Sequence, residues 1–179
     1  TFAEAARRKL QAVGKERIAT AIECTTEISE AVTRTVQIIR RLREFTKAQP
    51  VELENLALMQ VVRNAIELSA YEIRRTGVTG KTQSPSILPT VVGDRIQLEQ
   101  LFVNLLMNAC QAMEHVPAAD RTLTVTAEVA GQTLRVAVRD SGVGIAEEDV
   151  HKLFDAFYTT KKEGMGMGLV LCKSIAEAH

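Results

Sequence analysis

The segment Gln100–Met113, QLFVNLLMNACQAM, restricts the folds open to this chain more than any other stretch. On a helix, residues four apart share a face, so Asn104 and Asn108 stack on one side. Leu101, Leu105, Ala109 and Ala112 form an apolar stripe beside them. Asparagine is a mediocre helix former because its side chain competes for backbone hydrogen bonds. Two of them inside an otherwise strong helix suggest a task beyond helix formation. Taken alone, the helix is still read as presenting both amides to water.

Two glycine clusters downstream shift that balance. Arg139–Ile145, RDSGVGI, follows the alternating Leu134, Val136 and Val138 of a half-buried strand. Asp140 then stands at a strand end, at the lip of a turn holding Gly142 and Gly144. Without a Cβ, such a turn lets backbone approach a flat ligand. Glu163–Leu169, EGMGMGL, sets Gly164, Gly166 and Gly168 ahead of an apolar helix. Unpaired N–H groups at that helix start make a natural phosphate cradle.

Together the residues carry a family resemblance. NLLMNACQAM, DSGVGI, LFDAFYTTK and GMGMGL resemble the N, G1, F and G2 boxes of the ATP-binding domain of sensor histidine kinases, in the family's order and at its usual separations. A lone glycine-rich run is common, whereas four boxes in order are specific. Their wording is most similar to the nitrogen- and oxygen-responsive branch, and the resemblance covers nearly the whole chain. It implies an α+β fold of the GHKL superfamily: a two-layer α/β sandwich with a mixed sheet (Bergerat-type), preceded by a long helix of a dimeric hairpin. It also implies ATP and Mg2+ as ligands, a histidine as phosphoryl acceptor, and a response-regulator receiver domain as partner.

Composition is compatible with this. Of 179 residues, 46% are hydrophobic and 25% charged, ordinary for a globular protein. Lys plus Arg and Asp plus Glu balance at 22 each, which argues against a nucleic-acid platform. No apolar run approaches the roughly 20 residues needed to cross a bilayer, and no signal peptide is visible. Cys24, Cys110 and Cys172 are far apart and odd in number, which fits free thiols in a reducing compartment. The expected location is the cytoplasm of a bacterium without membrane contact by this segment; anchorage of the full-length protein in the inner membrane stays open.

In chain order, residues 1–13 read as the end of one helix, and a second runs from about Lys15 to Lys47. At 1.5 Å per residue that helix is about 50 Å long, too long for a compact domain of this size. Its apolar seam suits pairing with a second chain. By resemblance, 1–48 is part of the dimerising hairpin, so a homodimer is expected, and 49–179 is the catalytic ATP-binding domain. His115, His151 and His179 lack the family's acceptor pattern, so the accepting histidine is expected upstream of Thr1. Gln49-Pro50 marks the joint. Beyond it the pattern predicts a strand over Val51–Leu56 and a helix over Leu58–Arg75 with Val61, Val62, Ala65, Ile66, Leu68 and Ile73 inward. A weak strand follows over Val78–Gln83, then a short strand over Thr90–Val92 and a helix capped by Asp94. Thr122–Ala130 and Thr133–Asp140 form a hairpin around Gly131-Gln132. Glu147–Phe157 reads as a short helix and Met167–Ala178 as a final one. The family's domain continues past His179 with further strands, so an unpaired sheet edge is expected.

The resemblance also assigns roles. Asp140 accepts from the adenine amine, with Gly142, Gly144 and Ile145 around the base; an ionised carboxylate can only accept. Asn108 anchors Mg2+, with Asn104 beside it; magnesium prefers oxygen ligands and keeps several waters. ATP-hydrolysing relatives such as gyrase and the Hsp90 chaperones carry a glutamate general base where this chain has Asn104. Asn104 has no useful basicity, which points to transfer rather than hydrolysis. Lys161, beside Thr160, approaches the phosphates from a lid segment and acts in catalysis with Asn104 and Asn108. Gly164, Gly166, Met167, Gly168 and Leu169 line the phosphate side. Phe154 and Phe157 anchor the lid or simply pack in the core; Met165 and Met167 meet the nucleotide or the hairpin. Some relatives carry a basic residue where this chain has Gln111. The rival functions are an ATP-hydrolysing conformational switch and an inactive ATP-sensing scaffold.

Overall fold

The computed structural model describes residues 52–161 and 165–179. The helices expected over 1–47, the joint at Gln49-Pro50, and Cys24, Lys162 and Gly164 lie outside the described residues.

The elements run β1 (Glu54–Leu56), α1 (Leu58–Leu68), α2 (Ala70–Arg75), β2 (Thr79–Gln83), β3 (Val91–Gly93), α3 (Arg95–Ala112), β4 (Thr122–Ala130), β5 (Thr133–Asp140) and α4 (Gly168–Ala178), with 3-10 turns at Ala118–Asp120 and Glu147–Lys152. β2, β4 and β5 form a mixed sheet in that order, β2 parallel to β4 and β4 antiparallel to β5. β1 and β3 pair antiparallel as a separate ribbon. Among the described strands β5 is an edge of the sheet.

Alternation along β4 and β5 decides which face the helices cover. Leu123, Val125 and Ala127 are buried against the helices, and the half-buried Leu134, Val136 and Val138 lie on the same face. Register pairs Val125 with Val138 and Leu123 with Asp140. Asp140 is thus the next residue of the helix-facing row, a carboxylate where the core runs out.

α3 packs against α1, α4 and β5. It buries Leu98, Leu101, Phe102, Leu106, Ala109 and Cys110, and Met113 follows at its end. The stripe predicted at Leu101, Leu105, Ala109 and Ala112 is only half right: Leu105 and Ala112 are partly exposed, and the deeper line passes through Leu98, Phe102, Leu106 and Cys110. A helix with neighbours on several sides has no single clean stripe to read. Asp94 caps α3 as expected. Its Oδ1 accepts from Gln97 N–H at 3.1 Å, and its Oδ2 accepts from Glu52 N–H at 3.1 Å. Asp94 N–H donates to His179 Nε2 at 2.9 Å, tying the end of α4 to the start of α3.

Other expectations need correction. The helix over Leu58–Arg75 breaks at Ser69 into α1 and α2. Leu68, expected inward, is 68% exposed, while Ser69 is buried. Ser69 lies four residues after Ala65 and four before Ile73, so the inward line continues through a polar residue that hydropathy passes over. Glu147–Phe157 is not an α-helix but a 3-10 turn over Glu147–Lys152 followed by turns. Phe157 has φ of 69°, which no right-handed helix holds. Phe154 and Phe157 are 48% and 69% exposed, so they supply no apolar face against which such a helix could pack.

Candidate functional site

The site begins on α3. Asn104 and Asn108 share a face and are half-buried. Lys161 reaches across and donates from Nζ to Asn108 Oδ1 at 3.2 Å and to Gln111 Oε1 at 2.7 Å. Lysine can only donate, so these contacts orient both amides with their oxygens toward the ammonium. The Asn108 Nδ2 group then faces the start of α4, 3.9 Å from where a Cβ on Gly168 would stand. Lys161 is exposed as a residue, yet the protein around its ammonium lowers its pKa below the usual lysine value. Desolvation is the main cause, opposed by the charges of Asp140 and Glu114.

The second wall is the turn after β5. Asp140 Oδ1 accepts from Gly142 N–H at 2.8 Å, closing the turn on its own carboxylate. Val143 N–H donates to Ala112 O at 3.3 Å, using a carbonyl that the end of α3 leaves without a helical partner. A Cβ on Gly142 would stand 2.7 Å from Ala112 Cβ and 2.8 Å from its carbonyl carbon, so only glycine lets turn and helix meet. Ser141 pins the other side. Its Oγ donates to Asp120 O at 2.5 Å and accepts from Thr122 N–H at 2.9 Å. Gly144, at φ 73°, and Ile145, 58% exposed, extend the turn into solvent.

The third wall is the connector into α4. Gly166 O accepts from Phe157 N–H at 3.2 Å. A Cβ on Gly166 would collide with the backbone of Phe157 and Tyr158, and its φ is 65°. Tyr158 donates its hydroxyl to Asp149, which pushes the phenol pKa up to about 12. Lys152 Nζ lies 5.8 Å from the centre of the Tyr158 ring, and Lys173 Nζ of α4 lies 5.8 Å from that of Phe154. Both are cation–π distances. Phe154 and Phe157 are therefore not core residues. Among the described residues no side chain caps α4 and its first turn carries no acidic side chain, an N-terminus whose N–H groups suit an anion. Met165, Met167 and Leu169 are half-buried there, and Thr160 is exposed.

Asn108, Lys161, Asp140, Gly142 and Gly168 are thus brought to one end of α3 by three separate segments. Asn104 is one turn further along the same face, and Gly164 lies outside the described residues. Ala112, Ser141 and Tyr158 lie inside the quoted boxes, but the sequence assigns them no role in the site. Ser141 works through Asp120 and Thr122, about twenty positions away, and no local pattern announces that. Gln111 is uncharged where some relatives are basic, and its partner is Lys161.

The donor chemistry suits a nucleotide with a hard cation. Asn108 Oδ1 already accepts from one cation, the Lys161 ammonium, so it is aimed where positive charge sits. Among the described residues no group of three or more His, Cys, Asp or Glu forms a ready-made metal cage. A single amide oxygen is what remains, and that fits an ion which keeps most of its waters.

Comparison with known proteins agrees. Residues 93–179 match the family of histidine kinase-, DNA gyrase B- and HSP90-like ATPases. The chain is 38% identical over 148 residues to the sensor histidine kinase TmoS of Ectopseudomonas mendocina, covering 82% of this chain and 15% of that protein. It is 39% identical over 142 residues to the C4-dicarboxylate transport sensor protein DctS of Rhodobacter capsulatus, covering 79% and 22%. Among solved structures, the catalytic domain of the histidine kinase ThkA superposes with a TM-score of 0.63 at 30% identity, over 71% of this chain and 81% of that one. The chain belongs to the sensor histidine kinases and contains their ATP-binding catalytic domain. It spans less than a quarter of the length of these two curated relatives. No described helix is long and apolar enough to cross a membrane.

Proposed function

We propose that this chain binds ATP with Mg2+ at the end of α3 and transfers the γ-phosphoryl group to a histidine. The acceptor imidazole is carried on the dimeric helical hairpin to which 1–48 contributes. The phosphoryl group then passes to an aspartate of a response-regulator receiver domain. The observation that carries this is the Asn108 amide, whose oxygen serves a cation while its nitrogen faces a helix N-terminus that no described side chain caps. Asp140 is the acceptor for the adenine amine, because strand alternation leaves its carboxylate on the helix-facing side of β5 beside α3. Gly142, Gly144 and Ile145 flank the base. Lys161, Gly166, Met167 and the start of α4 at Gly168 and Leu169 meet the phosphates.

Asn108, with Asn104 beside it, would hold Mg2+, which supplies charge neutralisation when bound. Phosphoryl transfer asks the protein for positioning and electrostatics rather than covalent chemistry. Asn104 offers no general base for water, which supports transfer over hydrolysis. The test is to incubate the chain with γ-labelled ATP and a separate hairpin carrying the histidine. Label on the hairpin is the expected result. Bound nucleotide with an unlabelled hairpin would refute the transfer step, and steady release of free phosphate would favour a hydrolysing switch.

A further inference from the structure

Lys161 is held by two neutral oxygens, and the shorter contact is not the one to the proposed metal anchor. Gln111 Oε1 lies at 2.7 Å and Asn108 Oδ1 at 3.2 Å. Gln111 follows Asn108 by three positions, so the two amides lie side by side on one helix face. An ammonium has three donors, and two are used here. Among the described residues no carboxylate forms an ion pair with Lys161; Asp140 and Glu114 act on it only through their fields. A carboxylate partner would cancel the charge that phosphates need. An amide holds the lysine and leaves its charge intact. The Asn108 contact has a different fate, because one oxygen cannot serve a divalent cation and an ammonium without bringing like charges together.

We propose that Gln111 is a positioning residue for Lys161, retaining the ammonium at the edge of α3 when Asn108 Oδ1 is engaged elsewhere and so presenting the nucleotide phosphates with a lysine already in place. This rests on the ATP-binding function proposed above. It gives Gln111, uncharged where some relatives are basic, the role of carrying a charge supplied from another segment.

The test is a double-mutant cycle on the full chain, with calorimetric titration of a non-hydrolysable ATP analogue and Mg2+. Gln111→Met keeps side-chain volume and removes the acceptor; Lys161→Met removes the ammonium. Each single variant is expected to bind about tenfold more weakly. The double variant should bind no more weakly than Lys161→Met alone, because Gln111 acts only through the lysine. Thermal melts check that the variants remain folded. Multiplied losses in the double variant, or none in Gln111→Met, would overturn the inference while leaving ATP binding standing. A wild-type chain that takes up no nucleotide would overturn the ATP-binding proposal itself.

Discussion

Two glycine turns enclose the site, and they are built in opposite ways. Gly142 sits where a turn is pressed onto the domain core. Ala112 lies against it, Ser141 ties it to Asp120 and Thr122, and Asp140 continues the helix-facing row of β5. Gly166 sits where a connector is pressed onto itself, against Phe157 and Tyr158, which are exposed and half-buried. Both positions exclude a side chain, but for different beneficiaries. At Gly142 the close approach joins a turn to the core. At Gly166 it shapes a segment whose described polar link back to α3 is the Lys161 side chain. The Asp140 side of the site is thus an extension of the core, whereas the Lys161 side is assembled locally and docked.

The contrast is open to direct attack. Gly142→Ala should have the largest effect. Its Cβ meets backbone and Ala112 at 2.7–2.8 Å, so turn and helix must separate. A stability loss of about 1–3 kcal/mol is expected from overpacking, seen as a lower melting temperature together with lost nucleotide binding in calorimetry. Gly166→Ala faces a tighter collision and a left-handed backbone, yet its cost should stay local. Nucleotide affinity is expected to fall about tenfold or more, about 1.4 kcal/mol or above, with the melting temperature nearly unchanged. If both variants melt alike, the contrast between core-built and self-built turns is wrong.

Smaller effects sharpen the same comparison. On the function proposed above Lys161 would meet phosphate as the ammonium, and desolvation lowers its pKa from the usual 10.5. Nucleotide affinity measured against pH should therefore begin to fall at a lower pH than an ordinary lysine would give. Lys161→Met should flatten that limb. The same shift makes Lys161 slightly unfavourable to folding below its folded-state pKa, a penalty that fades as pH rises through that pKa toward the unfolded value. The smallest effect on function should come from Asp94→Ala. Asp94 caps α3 at the end remote from the site, so about 1 kcal/mol of stability should be lost in denaturant titration with nucleotide affinity unchanged.

How much was legible beforehand depended on the range of the causes. The β4–β5 hairpin falls at its predicted bounds, because strict alternation around Gly131-Gln132 is a local signal. The Asp94 cap is equally local. Leu68 misled because hydropathy favours an apolar residue, while the helix axis placed Ser69 on the inward line. The helix expected over Glu147–Phe157 failed because its two phenylalanines have no core to face. Their partners, Lys173 for Phe154 and Gly166 for Phe157, come from the far side of the connector.

The order of residues alone determined the family, the α+β class, the strand that delivers Asp140 and the helix that carries Asn104 and Asn108. The family and the fold class follow from the resemblance of four boxes in order, and the strand and the helix from periodicity, where neighbours in sequence are neighbours in space. Only the tertiary structure decided that Gln111 partners Lys161, that Ser141 braces the Asp140 turn, and that Ala112 requires a glycine opposite. Those contacts join residues about twenty to fifty positions apart, and a side chain chosen to fit a surface arriving from elsewhere leaves no local period to read.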